Sequence, residues 1–279
     1  MVAPQSIALT CWWKLTRRVK TYMHVNAGLF FRIGRVCLFN LLLLWLAVML
    51  LVGNVACLPF LLTPRAFREP IMQQLISGVF RLFLFGMTSC GLMRLDLSAL
   101  DVLNRQRKML LVANHPSMID VFLVISRVRR SICLMKSSLG TNIFFAAGSY
   151  LAGYVSNRQT DTMLRTAAIA VAQGNLLLVF PEGTRTHRQP VNKIKPGVAL
   201  IAKRCDAPLQ TILILANSAY LSKGWKIWHI WRPPQLPLIY KATLGPQFLT
   251  TGSATETANR LQTYFEQAIS SSIVPSLRV

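Results

Sequence analysis

Polar and apolar positions divide the chain into two unlike parts. From Val36 to Leu62 no charged residue occurs, and only Asn40 and Asn54 are strongly polar. As a helix this run would extend about 40 Å, enough to cross a hydrocarbon core of about 30 Å. Gly53 and Pro59 predict a bend or an end in its last third. A second apolar stretch, Ile71 to Met93, is interrupted by Gln73, Gln74 and Arg81. It reads as an interfacial or re-entrant helix with Arg81 snorkelling. Two arrangements stand open: a membrane hairpin, or one spanning helix followed by an ordinary buried helix. The first run is too long for the apolar part of a signal peptide.

From Arg94 onward, short apolar runs alternate with amphipathic ones. The pattern predicts strands at Leu95–Leu97, Met109–Ala113, Ile132–Met135, Gly153–Ser156, Leu176–Phe180, Gln210–Leu215 and Leu238–Thr243. It predicts helices at Ser117–Ser126, Asn142–Tyr150, Asp161–Gln173, Gly197–Lys203 and Ala254–Ser270. The expected class is α/β: a central, mostly mixed sheet flanked by helices, with an N-terminal membrane-associated helix pair. The expected division is a basic cytoplasmic or interfacial segment (1–35), a membrane-anchoring helix pair (36–93) and a larger domain (94–279). Trp228–Pro237 reads as a loop.

Charge sharpens this picture. Of 279 residues, 31 are Lys or Arg and 9 are Asp or Glu, a formal charge of +22. A hydrophobic share of 53% excludes a highly charged disordered chain. A charged share of only 14% excludes an ordinary soluble enzyme. The basic excess calls for an anionic partner: nucleic acid, a membrane surface or phosphorylated small molecules. The apolar excess favours membrane lipid, and no nucleic-acid recognition motif is present. Lys14, Arg17, Arg18, Lys20, Arg32 and Arg35 precede the first apolar run, and the first acid is Glu69. Trp12 and Trp13 lie among these cations, as at a headgroup interface, and the positive-inside rule puts the N-terminus in the cytoplasm.

Six cysteines without a Cys-x-x-Cys pair read as small buried hydrophobes in a reducing compartment. The four histidines lack metal-ligand spacing, so neither a metal nor a cofactor is expected. Two segments stand out. Met109–Ala113 runs into Asn114-His115-Pro116-Ser117-Met118-Ile119-Asp120. Pro116 suits a first helical turn. Five helical steps would turn His and Asp about 140° apart within one helix. With His115 on a strand-end loop and Asp120 in the helix, the two can converge. A carboxylate on one imidazole nitrogen then fixes the tautomer and leaves the other as a base. Leu176–Phe180 likewise runs into Pro181-Glu182-Gly183-Thr184-Arg185-Thr186. That segment combines an acid, a glycine permitting close approach, two hydroxyls and an arginine whose fork suits a phosphate. Strand C-termini are where α/β proteins hold ligands.

These segments resemble the glycerophosphate acyltransferase family, of the 1-acylglycerol-3-phosphate (PlsC-like) type. Its His-x-x-x-x-Asp block matches Asn114, His115 and Asp120; its Phe-Pro-Glu-Gly-Thr-Arg block matches 180–185 in full. A further Gly-to-Arg block is similar to Gly153–Arg158, without the usual acid before Arg158. Lys136 matches a basic position, with Ser137 where the family often has Glu. The resemblance implies transfer of a fatty acyl group from acyl-CoA or an acyl carrier protein to the free hydroxyl of a lysophospholipid. A divergent member would acylate another lipid, such as a lyso-ornithine lipid, a glycolipid or a polyene lipid. It implies His115 as base and Asp120 as orienter. Glu182, Gly183, Thr184 and Arg185 would bind the acceptor, with Lys136, Arg158, Asn114 and Ser117 as further substrate contacts. It suggests a bacterial inner membrane, catalytic domain inward.

Other readings compete. Backbone N–H groups near Ser117 would suit an oxyanion. Ser117 itself lacks a nucleophile elbow, and Cys133 reads as core. Arg127, Arg129 and Arg130 either complement a helix dipole or receive an acidic donor, as do Lys193, Lys195, Lys203 and Arg204. A non-catalytic membrane lipid binder would keep the fold and the basic surface, but would not need His115, Asp120 and Glu182 together.

Overall fold

The computed structural model describes residues 33–218, 220–224 and 236–273. Most of the basic leader (1–32) and of the Trp-rich loop (225–235) lies outside the described residues. Helix α1 occupies 33–56 and passes into a 3-10 turn at Leu58–Leu62 with Pro59 inside it. Helix α2 (Arg65–Ser89) follows. Buried Arg68 bonds the Leu61 and Thr63 carbonyls and so braces the turn between them. Both helices are long and apolar enough to cross a membrane.

Among the described residues, seven strands then form one sheet: β1 (Met93–Asp96), β2 (Met109–Ala113), β3 (Ser131–Met135), β4 (Val155–Ser156), β5 (Leu176–Val179), β6 (Leu209–Ala216) and β7 (Leu238–Phe248). Their order is β1-β7-β6-β2-β5-β3-β4. All neighbours are parallel except β6 and β7. The mixed α/β class expected from the sequence is what the chain adopts. Helices α3 (Asp120–Arg127), α4 (Ala146–Leu151), α5 (Thr160–Ala172), α6 (Gly197–Cys205) and α7 (Ala254–Ile273) complete it.

Strands β2 and β5, at the centre of the sheet, are apolar at every position because both faces are covered. Leu111 and Ala113 of β2 face a cluster holding Phe80 and Phe83 of α2 and Leu123 of α3. Leu110 and Val112 face the opposite cluster, with Val171, Ile201 and Leu261 from α5, α6 and α7. This period-2 split fixes the register, since a one-residue slip would exchange the two cores.

Two expectations change. Helix α3 begins at Asp120, not Ser117, and Pro116 lies in the preceding loop. Arg81 does not snorkel freely, because its guanidinium donates to the Ser126 carbonyl at 3.2 Å. That bond serves a carbonyl at the end of α3 which has no intrahelical partner.

Candidate active site

Strands β2 and β5 are parallel neighbours, with Val112 opposite Val179. The two motif loops therefore leave the sheet at the same level. His115 Nδ1 lies 2.9 Å from Asp120 Oδ2. The same oxygen accepts the Ser117 N–H at 2.7 Å. Asp120 is 0% exposed, and its Oδ1 has no hydrogen-bond partner among the described residues. Burial pushes its carboxyl up, opposed by the hydrogen bond and charge of His115. Phe180 stacks on the imidazole with centroids 4.0 Å apart and planes at 24°.

Because α3 starts at Asp120, that carboxylate reaches back across the preceding turn rather than along a helix face. Ser117 is correspondingly inward. Its hydroxyl is buried beside the Tyr240 hydroxyl at 3.2 Å. The expected use of the Ser117 N–H for an oxyanion does not fit, because Asp120 holds it. Asn114 is also buried: its amide donates to the Ile214 carbonyl and accepts the Ile214 N–H, at 2.8 and 2.7 Å. It joins β2 to β6 rather than facing a cleft.

Glu182 differs from its expected surroundings in the same direction. It is 2% exposed. Its Oε1 accepts the His115 backbone N–H at 2.8 Å, and its Oε2 accepts the Asn192 N–H at 2.9 Å. The Thr186 hydroxyl reaches both oxygens. The Thr186 N–H in turn donates to the His115 carbonyl at 2.6 Å. The β5 loop thus grips the His115 backbone from both sides. Gly183 has φ +69°, and a methyl there would meet Lys195 Nζ at 2.9 Å. Lys195 thereby covers the glycine. Arg185 donates to the Leu221 and Ser222 carbonyls at 2.8 and 3.0 Å, and Leu221 also accepts the Met118 N–H. The Arg185 fork therefore ties the loop after β6 to both motifs. Thr184 is half-buried beside it.

Lys136 and Arg158 follow β3 and β4, which pair at Met135 and Ser156, so they leave the same edge side by side. Both are exposed. At about 4.8 Å per strand, β3 and β4 stand roughly 10 and 14 Å from β2. The cysteines Cys57 and Cys133 are buried as expected, Cys205 is partly so, and Cys37 and Cys90 are exposed. Sequence reasoning missed Asn192 and Tyr240, and placed Thr186 in the motif without its bond to Glu182. Each acts through a backbone or hydroxyl contact that no spacing rule encodes.

Residues 94–215 match the family described as Acyltransferase. A 1-acyl-sn-glycerol-3-phosphate acyltransferase of Chlamydomonas reinhardtii is 25% identical over 172 residues. That match covers 60% of this chain and 48% of the algal protein, so the chain spans about half the length of that relative. The crystal structure of PlsC, the 1-acyl-sn-glycerophosphate (LPA) acyltransferase of Thermotoga maritima, has the same fold. It superposes with a TM-score of 0.63 at 19% identity, over 87% of this chain and 98% of that one.

Proposed function

We propose that the protein is a membrane-bound O-acyltransferase. It moves a fatty acyl group from an acyl thioester, acyl-CoA or an acyl carrier protein, to the free hydroxyl of a lysophospholipid such as 1-acylglycerol-3-phosphate. The observation that carries this reading is the His115–Asp120 contact at a strand C-terminus within an acyltransferase domain. Asp120 on Nδ1 leaves Nε2 as the base. His115 takes the proton of the acceptor hydroxyl as its oxygen attacks the thioester carbonyl carbon. The tetrahedral intermediate expels the thiolate as the C–S bond breaks, and His115 returns the proton to sulfur. The attacking group belongs to the acceptor, so no enzyme nucleophile is needed.

In this scheme Glu182 and Thr186 hold His115, and Asn114 and Ser117 hold the framework. Arg185, Lys195, Lys136 and Arg158 supply positive charge for anionic groups of acceptor and donor, with Gly183 and Thr184 shaping the loop. The helix pair would lie in one leaflet, near its lipid substrate. The test is acyl transfer by protein reconstituted in vesicles to a panel of lysolipids, from acyl-CoA and from acyl carrier protein separately. Wild type should acylate at least one acceptor, and His115→Ala should lose about 10²–10⁴ in kcat. Equal turnover by the two proteins would remove His115 from the chemistry; transfer by neither would favour the non-catalytic binder.

A further inference from the structure

The base assignment leaves one buried contact without a role. Tyr240 lies on β7, outside the stretch matched to the acyltransferase family. It is 1% exposed, and its hydroxyl meets Ser117 Oγ at 3.2 Å. Ser117 Oγ also accepts the Ile119 N–H at 3.3 Å. The backbone N–H of the same serine fixes Asp120 Oδ2. Asp120 Oδ1 has neither solvent nor a hydrogen-bond partner among the described residues, so the carboxylate is oriented through Oδ2 alone. Two bonds define that orientation: one from His115, which moves protons in the proposed reaction, and one from Ser117, which does not. Whatever fixes Ser117 fixes the resting direction of Asp120.

We infer that Tyr240 is a positioning residue for the His115–Asp120 pair, acting through the hydroxyl of Ser117. The inference rests on the proposed role of His115 as base. The chain of contacts runs Tyr240 hydroxyl, Ser117 hydroxyl, Ser117 N–H, Asp120 Oδ2, His115 Nδ1. It couples the antiparallel edge of the sheet to the end of β2. Without the phenol hydroxyl, Ser117 Oγ keeps only the longer bond from the Ile119 N–H, and the Asp120 carboxylate is held less well. The imidazolium formed during turnover is then stabilised less.

Tyr240→Phe keeps the ring in the core and removes only the hydroxyl. It should lower kcat about tenfold and leave the KM of donor and acceptor within about twofold, since no substrate contact is lost. The acid limb of the kcat/KM profile should move to lower pH. Ser117→Ala, which keeps its N–H, should give the same two changes. The double variant should be no worse than either single one, because both break one chain. An unshifted acid limb, a raised KM or additive losses would overturn the inference. Should Tyr240→Phe fail to fold, Ser117→Ala alone carries the pH readout. His115→Ala, measured alongside, keeps the two proposals apart. If it abolishes transfer while Tyr240→Phe changes nothing, the base stands and the positioning role falls.

Discussion

At the scale of single residues, the two carboxylates of the site are buried under opposite conditions. Glu182 has donors on both oxygens, whereas Asp120 keeps one oxygen without a partner. Burial pushes the Asp120 carboxyl up. A carboxyl raised in the fold contributes stability that is fully present below its unfolded value, about 3.9. That contribution is lost as pH rises through the raised value. Ionised Asp120 is therefore a stability cost at neutral pH, retained for orienting and charging His115. Asp120→Asn should lose about 10²–10⁴ in kcat. Relative to wild type, its thermal midpoint should rise between acid and neutral pH, measured by calorimetry across that range. A midpoint difference independent of pH would contradict the burial argument. Glu182→Gln gives the contrasting result. The amide turns an N–H₂ toward donors that the carboxylate had accepted, which costs about 1–3 kcal/mol. Acyl transfer should fall in kcat with little change in acceptor KM; a large rise in KM alone would return Glu182 to binding the headgroup.

At the scale of elements, the strands were legible because parallel strands buried on both faces are short apolar runs, such as Met109–Ala113 and Leu176–Val179. Helix α5 was legible for a different reason. Asp161 falls in its first turn, and Gly174, at φ +92°, follows its end. The start of α3 was not legible, because Pro-Ser is a good helix opening on local grounds. Asp120 folds back onto the Ser117 N–H as the acid of a capping box does, and regular α turns begin only at Asp120. The same carboxylate also meets His115, which the β5 loop holds, a tertiary contact that local pattern does not encode. The motif spacing named His115, Asp120 and Glu182, but not that Glu182 would face the backbone. Docking of α1 was also hidden. Asn54 looks like a blemish in an apolar helix, yet it donates to the Ile143 carbonyl at 2.8 Å and accepts the Gly148 N–H at 2.9 Å. Asn54→Ala should loosen this join by about 1–3 kcal/mol. Hydrogen exchange should speed at the Gly148 amide while the β2 and β5 amides stay protected, because the opening is local. Equal exchange at Gly148 in both proteins would mean that the contact does not hold the helix.

At the scale of the whole molecule, the question is how a chain of charge +22 meets a bilayer. Helix α1 touches the α/β domain along its length. Phe39 packs edge-on against Tyr220 at 5.4 Å, Leu46 is buried in the same cluster, and Asn54 bonds the segment before and within α4. Those contacts run from Phe39 to Asn54, about 22 Å of helix. The outward side carries Leu41, Leu44, Val48, Leu51, Val55, Leu58 and Leu62, all exposed. Their three- and four-residue spacing makes one continuous apolar stripe. A helix standing across the bilayer would leave its domain after one end. A helix bonded to the domain near both ends lies along it and offers its stripe sideways. These contacts suit a hairpin that returns the chain to the side of the domain. They predict that the turn between α1 and α2 stays on the side of the domain. Thr63→Cys, in a background with the six native cysteines replaced, should react with an impermeant maleimide from the same face of sealed vesicles as Lys195→Cys. Reaction of Thr63→Cys from the opposite face alone would mean that the pair crosses the bilayer, and that the contacts of Phe39 and Asn54 do not persist in it.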